Sequence, residues 1–176
     1  MQLETDTLPA EALEDAASEA TQATTIVTRM VFRASPAQTW QSLMFYEEVD
    51  ARPPLHLRLL LPVPVRTEGD KSRVGGEAMC LYEHGHLVKR ATRIDEPELY
   101  EFEVAEQKLA LGGTMRLSRG RYTLREVDEG RTEVAVETRY VSTKWPRWLW
   151  RPLERFVCHM FHRFLLRTMR RKAELG

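Results

Sequence analysis

The sequence of 176 residues is poor in the features that name a chemistry. Two cysteines, Cys80 and Cys158, stand too far apart for a metal-ligand spacing or a disulfide framework. No run approaches the ~20 apolar residues that a membrane-spanning helix needs. Lys plus Arg and Asp plus Glu balance at 26 each, and a formal net charge of zero argues against a nucleic-acid protein. The opening residues show neither a basic stretch nor an apolar core, so no secretory signal is expected. A reducing cytoplasm with two free thiols is the expected setting. No nucleophile elbow, HExxH helix, phosphate-binding loop or dinucleotide fingerprint occurs, and no cofactor is expected.

The charge balance hides an asymmetry. From Met1 to Ala20 every formal side-chain charge is acidic: Glu4, Asp6, Glu11, Glu14, Asp15 and Glu19. From Lys144 to Lys172 nearly every charge is basic, against a lone Glu154. Such a split suggests an interaction, internal or with an outside anion. Residues 1–23 hold little that could pack a core and read as a disordered tail, because ordering each residue costs roughly 1–2 kcal/mol. Residues 24–176 read as one domain.

Thr24–Arg33 alternates with a period of two and predicts a strand. Ser35-Pro36-Ala37-Gln38 predicts a capped helix start, with Trp40, Leu43 and Met44 as the apolar stripe and an end near Glu47. Residues 49–74 are apolar but broken by Pro53, Pro54, Pro62 and Pro64. They read either as a functional lid or as an irregular edge strand. Strands are then expected at about 76–82, 86–94, 98–107, 114–127 and 131–143. The loop Asp128-Glu129-Gly130 sets Leu124 opposite Val134, Tyr122 opposite Val136, Gly120 opposite Thr138 and Ser118 opposite Tyr140, which gathers the apolar residues on one face. The same reasoning at Glu83-His84-Gly85 pairs Tyr82 with His86, Cys80 with Val88 and Ala78 with Arg90, turning Arg90 inward. A helix follows Trp145-Pro146 and runs to about Glu174. Its apolar residues from Leu149 to Phe164 fall within roughly a third of the circumference and predict the core face.

This order predicts an α+β fold in which one long helix cannot fill a curved antiparallel sheet, leaving an internal cavity. Here the chain resembles the START-like, helix-grip group (SRPBCC), which includes polyketide cyclases and the birch-pollen allergen family. The resemblance spans about residues 24–174. It rests on "VFRASPAQTW", "GHLVKRATRIDEPELYEFEV" and "SRGRYTLREVDEGRTEVAVETRY" before an aromatic, basic terminal helix. It implies a pocket between sheet and terminal helix, used in that group for lipids, sterols, quinones, hormones or polyketides.

The expected pocket residues are Trp40, Tyr82, Arg90, Tyr100, Tyr122, Tyr140, Phe156, Met160 and Phe164. The bland alternative is that each simply fills a core. Arg90 would hold a ligand carboxylate, phosphate or keto oxygen, or else pair with a nearby acid or point to solvent. His159 and His162 have the spacing of a chelating pair, yet the wheel puts them beside Arg151 and Arg155, so rim histidines are expected and no metal site. Any catalysis would fall to Tyr82 or Tyr140, with Arg90 polarising a carbonyl, although a phenol is a poor base at neutral pH. The expected function is binding of a small hydrophobic or amphipathic ligand. The alternatives are a cyclase- or dehydratase-type enzyme, and a peripheral module whose basic helix, with Trp145, Trp148 and Trp150, touches an anionic membrane. The acidic tail would then fold back to screen that surface.

Overall fold

The computed structural model describes residues 23–44, 66–82, 85–109 and 115–175. Strand β1 (Thr24–Phe32) leads into helix α1 (Pro36–Met44). Then come β2 (Arg66–Gly69), β3 (Glu77–Tyr82), β4 (Gly85–Asp95), β5 (Leu99–Lys108), β6 (Met115–Asp128) and β7 (Arg131–Ser142). Helix α2 (Arg147–Leu175) closes the described chain. The strands form one antiparallel sheet of seven in the order β1-β7-β6-β5-β4-β3-β2.

Local chemistry starts helix α1 as expected. The Ser35 Oγ accepts from the Gln38 backbone N–H at 3.4 Å, and the Gln38 Oε1 accepts from the Ser35 N–H at 3.1 Å. That reciprocal cap satisfies two donors which the first helical turn would leave orphaned. Helix α1 is described to Met44, and the expected end near Glu47 lies outside the described residues. So do residues 1–22 and residues 49–65 of the Pro-rich link that reads as a lid or an edge strand. Arg66–Gly69 of the link form β2, an edge strand on β3.

The β6–β7 register matches the expectation at Leu124–Val134, Tyr122–Val136 and Gly120–Thr138, with Gly130 at a φ of +68°. Beyond a bulge at Ser118, Tyr140 pairs with Leu117 rather than with Ser118. The β3–β4 hairpin differs by one residue. Tyr82 pairs with Gly85, Cys80 with Leu87 and Ala78 with Lys89. Gly85 sits at a φ of +147°, and a Cβ there would lie 1.8 Å from the Lys108 carbonyl oxygen, so this tight crossing accepts only glycine.

Helix α2 approaches the sheet along β1 and β7 and crosses α1. The core lies between them, from Phe32, Val134 and Val136 to Leu166 and Met169. No helix among the described residues is long and apolar enough to cross a membrane.

Candidate functional site

The hairpin shift decides which cation lies on the inner face of the sheet. Arg90 lies on the outer face, contrary to the expectation, 46% exposed between two carboxylates. Its Nε and Nη2 donate to Glu77 Oε1 at 3.0 and 2.7 Å, and its Nη1 donates to Glu103 Oε1 at 3.2 Å. The reason is register, since a slip of one residue turns every side chain of a strand to the other face. Lys89 takes the inner position, opposite Ala78 and Val104, with its Nζ 5.2 Å from the Phe102 ring centroid. That is cation–π range. Arg90 instead borders a shallow outer depression of about 460 Å³ beside Glu77, Met79, Val88 and Glu106. Open and acid-rimmed, this depression lies on the face of the sheet opposite to Lys89.

Most of the expected pocket aromatics fill the core instead. Trp40 meets Tyr100 edge-on at 6.4 Å, and Tyr100 and Tyr122 lie 6.4 Å apart. All three are buried against Val134, Leu166 and Met169, so they occupy space rather than line it. Phe102 is only partly buried and lies 6.2 Å from Tyr100 and 6.4 Å from Tyr122. Its ring crosses Gly120, where a Cβ would come within 2.2 Å of Cζ. Gly120 therefore makes room for a ring on the inner wall. Tyr82 is half-buried at the hairpin end of that wall.

Helix α2 meets the sheet with a polar seam, and the expected face is reversed. Counting about 100° per residue, Glu154, Cys158, His162, Leu165, Leu166 and Met169 share roughly a third of the circumference. Of these, Glu154, His162, Leu166 and Met169 are buried. Phe156 lies on the opposite side, exposed, with Leu149 and Leu153. By the same count Met160 falls between Leu149 and Leu153, and Phe164 falls next to Leu153, yet both are half-buried. The histidines expected at the rim point inward: His162 is 1% exposed. The Thr138 hydroxyl lies 2.8 Å from His162 Nε2, and the Thr28 hydroxyl lies 3.0 Å from His162 Nδ1 and 2.8 Å from His159 Nδ1. With one proton to give, Thr28 donates to one imidazole and accepts from the other. Burial, and then the neighbouring His159, push His162 down to about 4, so it is neutral at ordinary pH.

The next turn of the seam is anionic. Glu154 accepts from Ser142 Oγ at 2.6 Å, Arg147 Nη1 at 3.2 Å and Tyr140 Oη at 3.3 Å. Burial alone would raise its pKa, but these donors and the Arg147 charge outweigh burial and hold the carboxyl below its ordinary range. Burial, with the Glu154 carboxylate and Cys158 beside it, raises the Tyr140 phenol far above its ordinary value. Burial and Glu154 push the Cys158 thiol up to about 11. Tyr140, a candidate acid–base residue from sequence, is thus a fully buried, protonated donor to Glu154. No group of three His, Cys, Asp or Glu side chains among the described residues is placed to hold a metal.

The seam fixes where the remaining helix faces point. His159 and His162 reach β1 and β7, and Glu154 reaches β7. Continuing round the helix away from β1, Leu165, Phe161, Val157 and Phe164 come next, on the flank directed toward the β6–β4 half of the sheet. The inner face of that half of the sheet carries Leu117, Phe102, Val104 and Lys89, all half-buried.

No protein-family model matches the chain, and no curated protein matches it in sequence. Solved structures do match in fold. The ZhuI aromatase/cyclase from a Streptomyces species superposes with a TM-score of 0.63 at 12% identity, over 86% of this chain and 94% of that one. The di-domain ARO/CYC protein BexL gives 0.64 at 13% identity, over 93% of this chain and 55% of that one. Ara h 8.0201 gives 0.53 at 12% identity, over 88% and 99%. The chain shares with these structures the helix-grip fold, with a curved antiparallel sheet holding a long C-terminal helix.

Proposed function

We propose that the protein binds a small hydrophobic or amphipathic molecule between the inner face of β4–β6 and the flank of α2 directed toward it. One observation carries this reading: the helix approaches the sheet along β1 and β7, while an apolar wall further across stays half-buried around one lysine. Phe102, Val104 and Leu117 suit an apolar body, and Lys89 suits an anionic or carbonyl end. The structures named above support a ligand-holding cup by their fold, and fold alone does not carry an activity.

Titration with a fluorescent anionic aromatic probe, anilinonaphthalene sulfonate, and with a neutral naphthyl analogue tests it. Lys89→Met should weaken the anionic probe about tenfold, as loss of one charge-assisted contact does. The neutral probe should change little, and Arg90→Met should change neither. Equal losses for both probes in Lys89→Met would remove the lysine from the site.

A second reading, an aromatase or cyclase acting on a polyketide-like substrate, draws on the printed names of two of the similar structures. Of the catalytic candidates, Tyr140 is tied to Glu154 and Arg90 faces outward, which leaves Tyr82. Turnover of a trial polyketide that is lost in Tyr82→Phe would favour this reading over binding alone.

A further inference from the structure

The face of α2 turned away from the sheet is the least expected surface of the molecule. Trp145 is 84% exposed, Trp148 76%, Leu149 53%, Leu153 49% and Phe156 58%. Scattered exposed apolar residues are ordinary, but Leu149, Leu153 and Phe156 share one helical face, and Trp145 and Trp148 are exposed at the same end of the helix, a concentration of the kind that marks an interaction site. The surrounding charge has one sign. Arg151, Arg155, Arg163, Arg167 and Arg171 are all exposed. The acids of the helix are withdrawn or terminal: Glu154 is buried against Ser142 and Arg147, and Glu174 sits in the last turn accepting from the Arg33 N–H. Lys144 lies over the Trp150 ring at 4.3 Å, which fixes one more cation at the same end.

We propose that this face docks the protein on an anionic lipid surface, with the Trp148–Phe156 end entering the headgroup–acyl boundary and the Arg163–Arg171 end lying on the headgroups. Two features favour a bilayer over a protein partner. Indoles at the end of an amphipathic helix suit the membrane interface, where one part of the ring is apolar and the N–H stays wet. A row of arginines with no interspersed exposed acid matches a continuous anionic sheet, whereas protein interfaces mix signs in complementary pairs. The rest of α2 is held by the histidine seam and the core, so it would lie along the surface and not insert across it. The proposal does not depend on the ligand reading, since none of these residues lines the cup.

The test is flotation of the full chain with vesicles of phosphatidylcholine alone or mixed with phosphatidylglycerol. Binding should be confined to the mixed vesicles, weaken as salt rises, and shift the indole emission to the blue. Trp148→Ala combined with Phe156→Ser should lower affinity by about tenfold or more. Arg163→Gln with Arg167→Gln should lower it by about thirtyfold. All four positions are exposed, so the melting temperature and probe binding in the cup should be unchanged. Equal binding to both vesicle types, no binding to either, or retention only by a protein partner would overturn the proposal.

Discussion

Replacing His162 by glutamine removes the buried imidazole that bridges β1 and β7 to the terminal helix, and with it one source of acid sensitivity. In the folded protein the ring is enclosed and bonded at both nitrogens by Thr28 and Thr138. Its pKa drops from 6.5 to about 4, chiefly through burial. The sign follows from linkage. As pH falls below 6.5 the unfolded chain takes up a proton at this site and the folded chain does not, so stability declines until the folded pKa is passed. Each tenfold in proton affinity is about 1.4 kcal/mol, so the full loss is roughly 3 kcal/mol, and roughly 2 kcal/mol of it is gone by about pH 5. For a domain of this size that is about 4–8 °C in melting temperature. Glutamine keeps one donor and one acceptor but cannot reach both threonines, so His162→Gln should cost about 1–2 kcal/mol at neutral pH. Thermal melts of both proteins across this range isolate the histidine, because every other titrating group is shared. The wild type should lose about 4–8 °C more than His162→Gln between about pH 7.5 and about pH 5. Parallel pH profiles would refute the reasoning.

Two further outcomes follow from the same geometry. Glu154→Gln breaks the ion pair with Arg147 and should cost about 1–3 kcal/mol at neutral pH. Because the Glu154 carboxyl is held below 4.5 in the fold, its contribution is present above that value and fades as pH falls through the depressed pKa, so wild type and variant should converge in acid. Gly120→Ala forces a Cβ into the Phe102 ring and should cost about 1–3 kcal/mol by overpacking. Adding Phe102→Ala should recover most of that loss, and simple additivity of the two costs in thermal melts would show that the ring is not the obstacle.

Much of the sheet was legible in the sequence because its patterns are local. The β6–β7 register could be derived because a slip would scatter Leu124, Val134, Tyr122 and Val136 across both faces. The β3–β4 hairpin lacked that discipline. Cys80 faces a similar apolar residue whether its partner is Val88 or Leu87, so the pattern could not choose between a three-residue and a tighter loop. The choice decided whether Arg90 or Lys89 lies on the inner face of the sheet. The helix face was misread for a deeper reason. Hydrophobicity marks the core face only where the sheet opposite is apolar. Here the inner faces of β1 and β7 carry Thr28, Thr138, Tyr140 and Ser142, whose buried hydroxyls require partners. Those hydroxyls at alternate inward positions were the available signal that Glu154, His159 and His162 face the sheet. The most apolar stripe was then free to face outward.

The proposed ligand site lies between the β4–β6 wall and the α2 flank. Amide and methyl NMR shifts of the full chain, followed during titration with the anionic naphthyl probe, test it most directly. The account predicts saturable shifts that cluster at Lys89, Phe102, Val104, Leu117, Val157 and Leu165. Shifts confined to Glu77, Met79 and Val88 on the opposite face of the sheet, or to Trp148 and Phe156 on the outer helix face, would contradict it.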